Sequence, residues 1–329
     1  MAEYDANICY SIPERKALLD DLGGLPETTV QNTEWLYMLE EDTRQSLSIE
    51  GYFATDQELE AVLAGRKTAP EIANYFRAAQ AMYDFALQYY RDHIVRLDVP
   101  LVRHIHSELF REMDARRGEF RRAGIHIHGA KVQPPEFDVE LYVRTALALS
   151  VRFLQELPIL SALARAHTLF ESIHPFSDGN GRVGRILLNY AAISLGYPPI
   201  IIKGWTPEER RRYYHALEAA DRGFHEGFPD PEPHALEARL HDGNFAPLEL
   251  LLCEGLLPRL DRIAAIALEQ HEPLLDFKEL AARLGVKEVT LRLWIHRGKL
   301  IAIKRGKKLY SHPRLILPPP RASSRRPPA

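Results

Sequence analysis

The feature that most narrows the folds open to this chain is a helical period that returns along most of its length. Residues 69 to 95 (APEIANYFRAAQAMYDFALQYYRDHIV) carry apolar side chains at three-to-four spacing, and after Pro70 neither Gly nor Pro interrupts them. That pattern predicts a long amphipathic helix. LVRHIHSELFREM (101–113), LYVRTALALSVRFLQEL (141–157), ILSALARAHTLFESI (159–173), GRILLNYAAISLG (184–196) and PEERRRYYHALEAADR (207–222) read the same way. The Gly/Pro-rich GFHEGFPDPEPH (223–234) is a surface loop, after which the pattern returns to helix. One stretch departs from it. EFRRAGIHIHGAKVQPP (119–135) alternates around Ile125, Ile127 and Val132 and predicts a short β-hairpin on a helical body.

The 329 residues suffice for more than one domain, and 46% hydrophobic with 26% charged is a globular composition. No apolar run reaches the roughly 20 residues needed to cross a bilayer, so no membrane partner is expected. MAEYDANICYSIPERK lacks the basic start and apolar core of a secretory signal. Cys9 and Cys253 lie far apart without metal-type spacing, which reads as two reduced thiols in a cytoplasmic protein. Charge is uneven: residues 276–329 hold 14 Lys/Arg against 3 Asp/Glu, leaving 28 basic and 42 acidic groups for the rest. A basic end on an acidic body suits a polyanionic partner; an unpartnered basic tail is the other reading.

The chemistry concentrates in IHPFSDGNGRVGR (173–185). Set between two helices, this loop aims the orphan N–H groups of Gly179, Asn180, Gly181 and Arg182 at one point, an anion site aided by the helix dipole. Arg182 and Arg185, three apart, share a helix face and can grip successive phosphates. Asp178 offers a hard oxygen suited to Mg²⁺. His174 titrates near neutrality and can take a proton from an attacking hydroxyl. Together these parts suit phosphoryl or nucleotidyl transfer. A plain helix-capping turn would also use Asp, Gly and Asn, but not the whole string HPFxDGNGRxxR. The Walker pattern is absent.

His174-Pro175-Phe176-Ser177-Asp178-Gly179-Asn180-Gly181-Arg182 with Arg185 resembles the signature of the Fic-domain family over roughly residues 30–255. The resemblance implies transfer of AMP from ATP–Mg²⁺ to a Ser, Thr or Tyr hydroxyl of a protein. It implies His174 as general base, Phe176 as loop anchor and Asp178 as Mg²⁺ ligand. Gly179, Asn180 and Gly181 would be the anion hole, with Arg182 on the β-phosphate and Arg185 on the γ-phosphate. Segment 119–135 matches the flap that pins a target strand, Tyr213 and Tyr214 match a segment near the nucleotide pocket, and a homodimer is implied.

Ser46-Leu47-Ser48-Ile49-Glu50-Gly51 resembles the family's inhibitory motif. A Glu50 carboxylate paired with Arg185 would occupy the guanidinium meant for the γ-phosphate, with Ser46 on the same helix. The same glutamate could support removal of AMP. A surface acid before a Gly cap is the plainer alternative.

Residues 276–312 read as a helix (Phe277–Leu284), a turn at Gly285, a second helix (Val289–His296) and a wing around Arg305-Gly306-Lys307. They resemble the winged helix-turn-helix of MerR-like and excisionase-like proteins. Arg292, Arg297, Lys304, Arg305, Lys307 and Lys308 could neutralise DNA phosphates, and protein docking is the alternative. The pairs His104/His106 and His126/His128 lack an acid or Cys at ligand spacing and read as packing and flap residues. The expected architecture is therefore a mainly α, Fic-type helical bundle with a β-hairpin flap and a C-terminal winged helix-turn-helix. Its parts are 1–98 (N-terminal helices with the inhibitory helix), 99–270 (catalytic core), 271–315 (winged helix) and 316–329 (disordered tail). A DNA-binding regulator with a nucleotide-sensing domain, or a transferase using another nucleotide, are the alternatives.

Overall fold

The computed structural model describes residues 6–26 and 33–318. A 3₁₀ turn (Ala6–Ser11) leads into α1 (Ile12–Asp21), α2 (Thr33–Ile49), α3 (Asp56–Leu63), α4 (Pro70–Arg91), α5 (Val99–Leu109), α6 (Val139–Glu156), α7 (Ile159–Ile173) and α8 (Asn180–Ser194). There follow α9 (Pro207–Ala220), α10 (Pro233–Leu240), α11 (Ala246–Glu269), β1 (Leu275–Asp276), α12 (Phe277–Leu284), α13 (Glu288–His296), β2 (Ile303–Arg305) and β3 (Lys308–Ser311). The periodic stretches all form helices, with ends set by local chemistry. Asp98 caps α5 by accepting the Leu101 N–H at 2.9 Å, and Thr206 with Glu209 makes a reciprocal capping box on α9, whose first residue is Pro207.

Two compact units divide the chain: residues 28–195 with 199–252, and residues 1–27 with 196–198 and 253–329. The larger unit is built around α8, whose side chains are buried along the whole helix, among them Asn180, Arg182, Arg185 and Asn189. Helices α2, α4, α5 and α7 surround it. Burying two arginines in one helix obliges these neighbours to supply polar partners, and that requirement shapes the site.

Residues 119–135 do not form the expected hairpin: among the described residues this stretch has no strand pairing. The inward alternation is kept, with Ile125 and Ile127 half-buried between exposed neighbours. The donors of a ladder are spent elsewhere or missing. The Arg121 N–H goes to Pro175 O (2.9 Å), the Gln133 N–H goes to Phe224 O (3.4 Å), and Pro134 and Pro135 have none.

In the smaller unit, α12 and α13 pack with an antiparallel sheet of order β1-β3-β2, Ile303 standing opposite Tyr310. Phe277, Leu280, Ala281, Leu291 and Leu300 form its core. The boundary expected at 315 falls short, since Leu317 packs with Ile301, Leu315 and Ala264. The tail expected to be disordered lies, from 319 onward, outside the described residues. The N-terminal boundary also changes: residues 1–27 group with this unit, not with the helices up to 98. Two bonds explain why. Cys9 and Cys253 form a disulfide, and the buried Arg15 donates to Asp261 at 2.5 Å and to Gly298 O at 3.2 Å. The cysteines are thus not the free thiols expected from their spacing and lend no support to a reducing compartment.

Because the disulfide closes a loop of 244 residues, its loss should cost about 2–5 kcal/mol. Urea unfolding of Cys253→Ser, or of the protein in reductant, should show a midpoint well below that of the oxidised protein. Coincident curves would contradict the staple.

Candidate active site

Helix α7 ends on His174, which takes the left-handed conformation (φ 50°, ψ 62°) usually left to Gly. Holding a non-Gly residue there costs about 1–3 kcal/mol and needs support from its surroundings. His174 Nδ1 lies 3.2 Å from Glu171 O, so the Nδ1 hydrogen faces that carbonyl and Nε2 keeps its lone pair. Burial and the nearby Arg121 cation lower the imidazole pKa against the pull of the Glu171 carbonyl, which keeps the ring neutral near pH 7.

Arg121 is the support that sequence reasoning missed. Its Nε donates to His174 O (2.8 Å) and Nη2 to Ile173 O (3.1 Å), two end-of-helix carbonyls of α7. The same guanidinium reaches Ala123 O (2.8 Å) and Pro135 O (2.6 Å).

The loop itself is fastened from below. Phe176 is fully buried and stacks on His106 with ring centroids 3.9 Å apart. His106, one of the pairs set aside as packing residues, accepts the Gly118 N–H at 2.8 Å, and burial pushes it down to about 4. Asn180 closes the loop, its Oδ1 accepting from Phe176 N and its Nδ2 donating to Phe176 O, both at 2.8 Å. At Gly179 (φ 78°) a Cβ would stand 2.5 Å from the Phe110 ring, and at Gly181 a Cβ would stand 2.5 Å from Glu50 Oε1. Gly179 needs glycine for both its conformation and its space, whereas at Gly181 a side chain would have to displace the Glu50 carboxylate and the Arg185 guanidinium.

The N–H groups of Asn180, Gly181 and Arg182 open α8 and have no acceptor within their own helix. Arg182 is buried between the Phe110 and Tyr52 rings, its guanidinium carbon 5.0 and 5.9 Å from their centroids. Its Nη2 reaches both Asp178 oxygens at 3.3 Å, while its buried Nε has no partner. An orphaned guanidinium N–H beside free backbone donors is an anion cradle. The Asp178 side chain is 73% exposed. A single accessible carboxylate beside a phosphate site is the donor set Mg²⁺ takes, with waters and phosphate oxygens completing its shell.

Arg185 is 3% exposed and fully engaged. Nη2 donates to Glu50 Oε1 at 2.6 Å and to Ser46 O at 3.1 Å, and Nε donates to Ser46 Oγ at 2.6 Å. Burial disfavours the cation, but the Glu50 carboxylate overrides this and raises its pKa. The Glu50 carboxylate thus pairs with Arg185. Its own side chain remains 31% exposed.

Of the two tyrosines expected near a nucleotide, Tyr213 is buried and bonds His167 Nε2 at 2.7 Å. Tyr214 is half-exposed and donates to Ile49 O at 3.0 Å, so it caps the end of α2. In the smaller unit, Arg292, Arg297, Lys304 and Lys307 are exposed. Arg305 is instead held by Glu269 (2.6 Å) and Lys308 lies 3.5 Å from Asp276, which blunts both as phosphate ligands.

Residues 96–192 match the model of the Fic/DOC family, and residues 274–312 match a helix-turn-helix domain. A probable protein adenylyltransferase of Aquifex aeolicus is 30% identical over 280 residues, 82% of this chain and 83% of that protein. The protein adenylyltransferase Fic of Drosophila yakuba is 33% identical over 145 residues, 43% of this chain but only 28% of that longer protein. Among solved structures, a Fic-domain signalling protein of Bacteroides thetaiotaomicron superposes with a TM-score of 0.60 at 20% identity, covering 79% of this chain and 97% of that one. This last likeness concerns the fold.

From the lowered His174 pKa we expect its imidazole to titrate below the ordinary value of about 6.5. Its neutral form should still dominate at pH 6.5 in an NMR titration. A midpoint at or above 6.5 would contradict the burial argument.

Proposed function

Since the chain belongs to the Fic/DOC family and is a nucleotidyltransferase of its AMP-transferring kind, we propose that it moves AMP from ATP to a protein hydroxyl with His174 as base. The observation that carries this reading is the His174 imidazole, neutral, with Nδ1 turned to Glu171 O and Nε2 free, at the edge of an anion cradle. In the proposed step the target oxygen attacks the α-phosphorus and its proton passes to His174 Nε2. The bond to the β-phosphate breaks and pyrophosphate leaves. Backbone donors at 180–182 and the Arg182 guanidinium stabilise the charge on the phosphates. Mg²⁺, held by Asp178, would supply charge neutralisation on the phosphate oxygens. Segment 119–137, with backbone groups that no ladder uses and an exposed Phe137, offers a target an edge to pair with.

The pair of Glu50 with Arg185 supports an autoinhibitory role. While it stands, the cation proposed for the γ-phosphate is taken, and ATP would bind with its phosphates displaced from the attack line. The same carboxylate is a candidate for orienting water in AMP removal. Labelled AMP transfer should fall about 10²-fold or more in His174→Ala, the usual contribution of a general base. It should rise about tenfold in Glu50→Gly, as expected when a charged hydrogen bond of ~1.5–3 kcal/mol is released. Transfer persisting in His174→Ala, or unchanged in Glu50→Gly, would refute the respective role.

For the smaller unit the helix-turn-helix match, with Arg292 and Arg297 exposed at the second helix and Lys304 and Lys307 at the wing, favours contact with DNA. Substituting Lys307 by Ala should lower the slope of log affinity against log salt by about 1 on duplex DNA, the signature of one lost phosphate contact. Absence of salt-dependent binding by the whole protein would favour protein docking instead.

A further inference from the structure

We propose that Arg121 is the positioning residue of the reaction, locking the base His174 and the target-binding segment into one rigid body. This rests on the reading above of His174 as base and 119–137 as the target edge. The geometry is direct. One buried guanidinium donates to Ile173 O and His174 O at the end of α7, and to Ala123 O and Pro135 O at the two ends of the exposed segment. The residue's own N–H adds a bond to Pro175 O at 2.9 Å. Residues 124–134 thus leave and return to the same side chain.

Two features make this more than packing. His174 holds a left-handed backbone that a histidine does not favour, and both Arg121 contacts on α7 fall on it or on its neighbour. The anion cradle has a separate support: Asn180 bonded to Phe176, and Phe176 stacked on His106. Loss of Arg121 should therefore disturb the base and the target edge while leaving the phosphate site formed. Only a planar fork with five donors can reach four carbonyls in different directions; a lysine ammonium cannot.

The test uses the full chain in a Glu50→Gly background, so that activity is measurable, with Arg121→Lys and Arg121→Gln. His174→Ala runs beside them. We expect kcat for AMP transfer to fall about 10- to 100-fold in both variants, as small misplacements of reacting groups do. ATP affinity should stay within about twofold, since the cradle's donors are intact. The acid limb of the pH profile should move up in Arg121→Gln, where the neighbouring cation is gone, and stay in place in Arg121→Lys. Undiminished kcat in Arg121→Lys would overturn the proposal, as would ATP affinity falling in step with kcat in both variants. Persistent transfer in His174→Ala would instead strike the base assignment itself, and the positioning role with it.

Discussion

A guanidinium cannot stand unpaired inside a helical bundle, and Arg185 is placed there by the helix that carries the loop. Leaving it without any acceptor would cost several kcal/mol, and the fold supplies partners for it. In this structure the anion is Glu50, with Ser46 completing the set of acceptors. Features that look unrelated in the sequence meet around this pair. A side chain at Gly181 would meet the Glu50 carboxylate. Helix α2 packs against α8, and Tyr214 and Arg210 close its end by donating to Ile49 O and Ser48 O. On the proposed reading a phosphate is the other anion of suitable size and charge, and Arg185 is a position for which two anions compete.

On the proposed reading, the loop answers a second requirement, that a base and an anion cradle keep fixed relative positions without regular structure between them. Six residues separate His174 from Gly181, and three tethers divide the task. Arg121 holds the helix end, the Phe176–His106 stack holds the middle, and Asn180 closes the turn. The polar tethers are buried and bonded, so local fluctuation would break charged or two-point hydrogen bonds rather than water contacts. Such rigidity suits chemistry in which placement supplies most of the rate.

What was legible in the sequence follows from the range of the interactions. Helices α4 to α9 could be read because their apolar period, caps and prolines act over a few residues, and α7 matches its expected bounds. The loop could be read because its chemistry is contiguous. Arg121 could not, because its meaning lies in carbonyls 14 and 52 to 53 residues away, which no local pattern encodes. The Cys9–Cys253 bond and the Arg15–Asp261 pair were hidden for the same reason, and with them the grouping of residues 1–27 with the C-terminal unit. The hairpin was overread: alternation reports which side chains face inward, and that held for Ile125 and Ile127. It does not report whether backbone donors have partners, and two consecutive prolines remove the donors that one arm would have used.

The strength of the Glu50 contact does not come from Glu50 alone. An ion pair with one partner nearly a third exposed contributes about 1 kcal/mol or less when its side chains are free to move. The contact gains from preorganisation, because Asp42 and Ser46 on α2 and Glu50 just past its end lie at i, i+4 and i+8 and meet Asn189 and Arg185, four apart on α8. At the deep end of this stripe the Asp42 carboxylate accepts from Tyr83 (2.7 Å), Tyr75 (3.2 Å) and Asn189 (3.1 Å), and burial pushes it up to about 6. Those bonds fix the helix at Asp42, and its last turn, Ser46 to Ile49, is buried as well, so that the chain first reaches solvent at Glu50 and at Gly51 with φ 85°. On the proposed reading, a phosphate arriving at Arg185 therefore competes with one carboxylate at a helix end and not with the docking of the whole helix. The two anions can exchange by a local movement, while α2 stays bound and the arginine is never left bare.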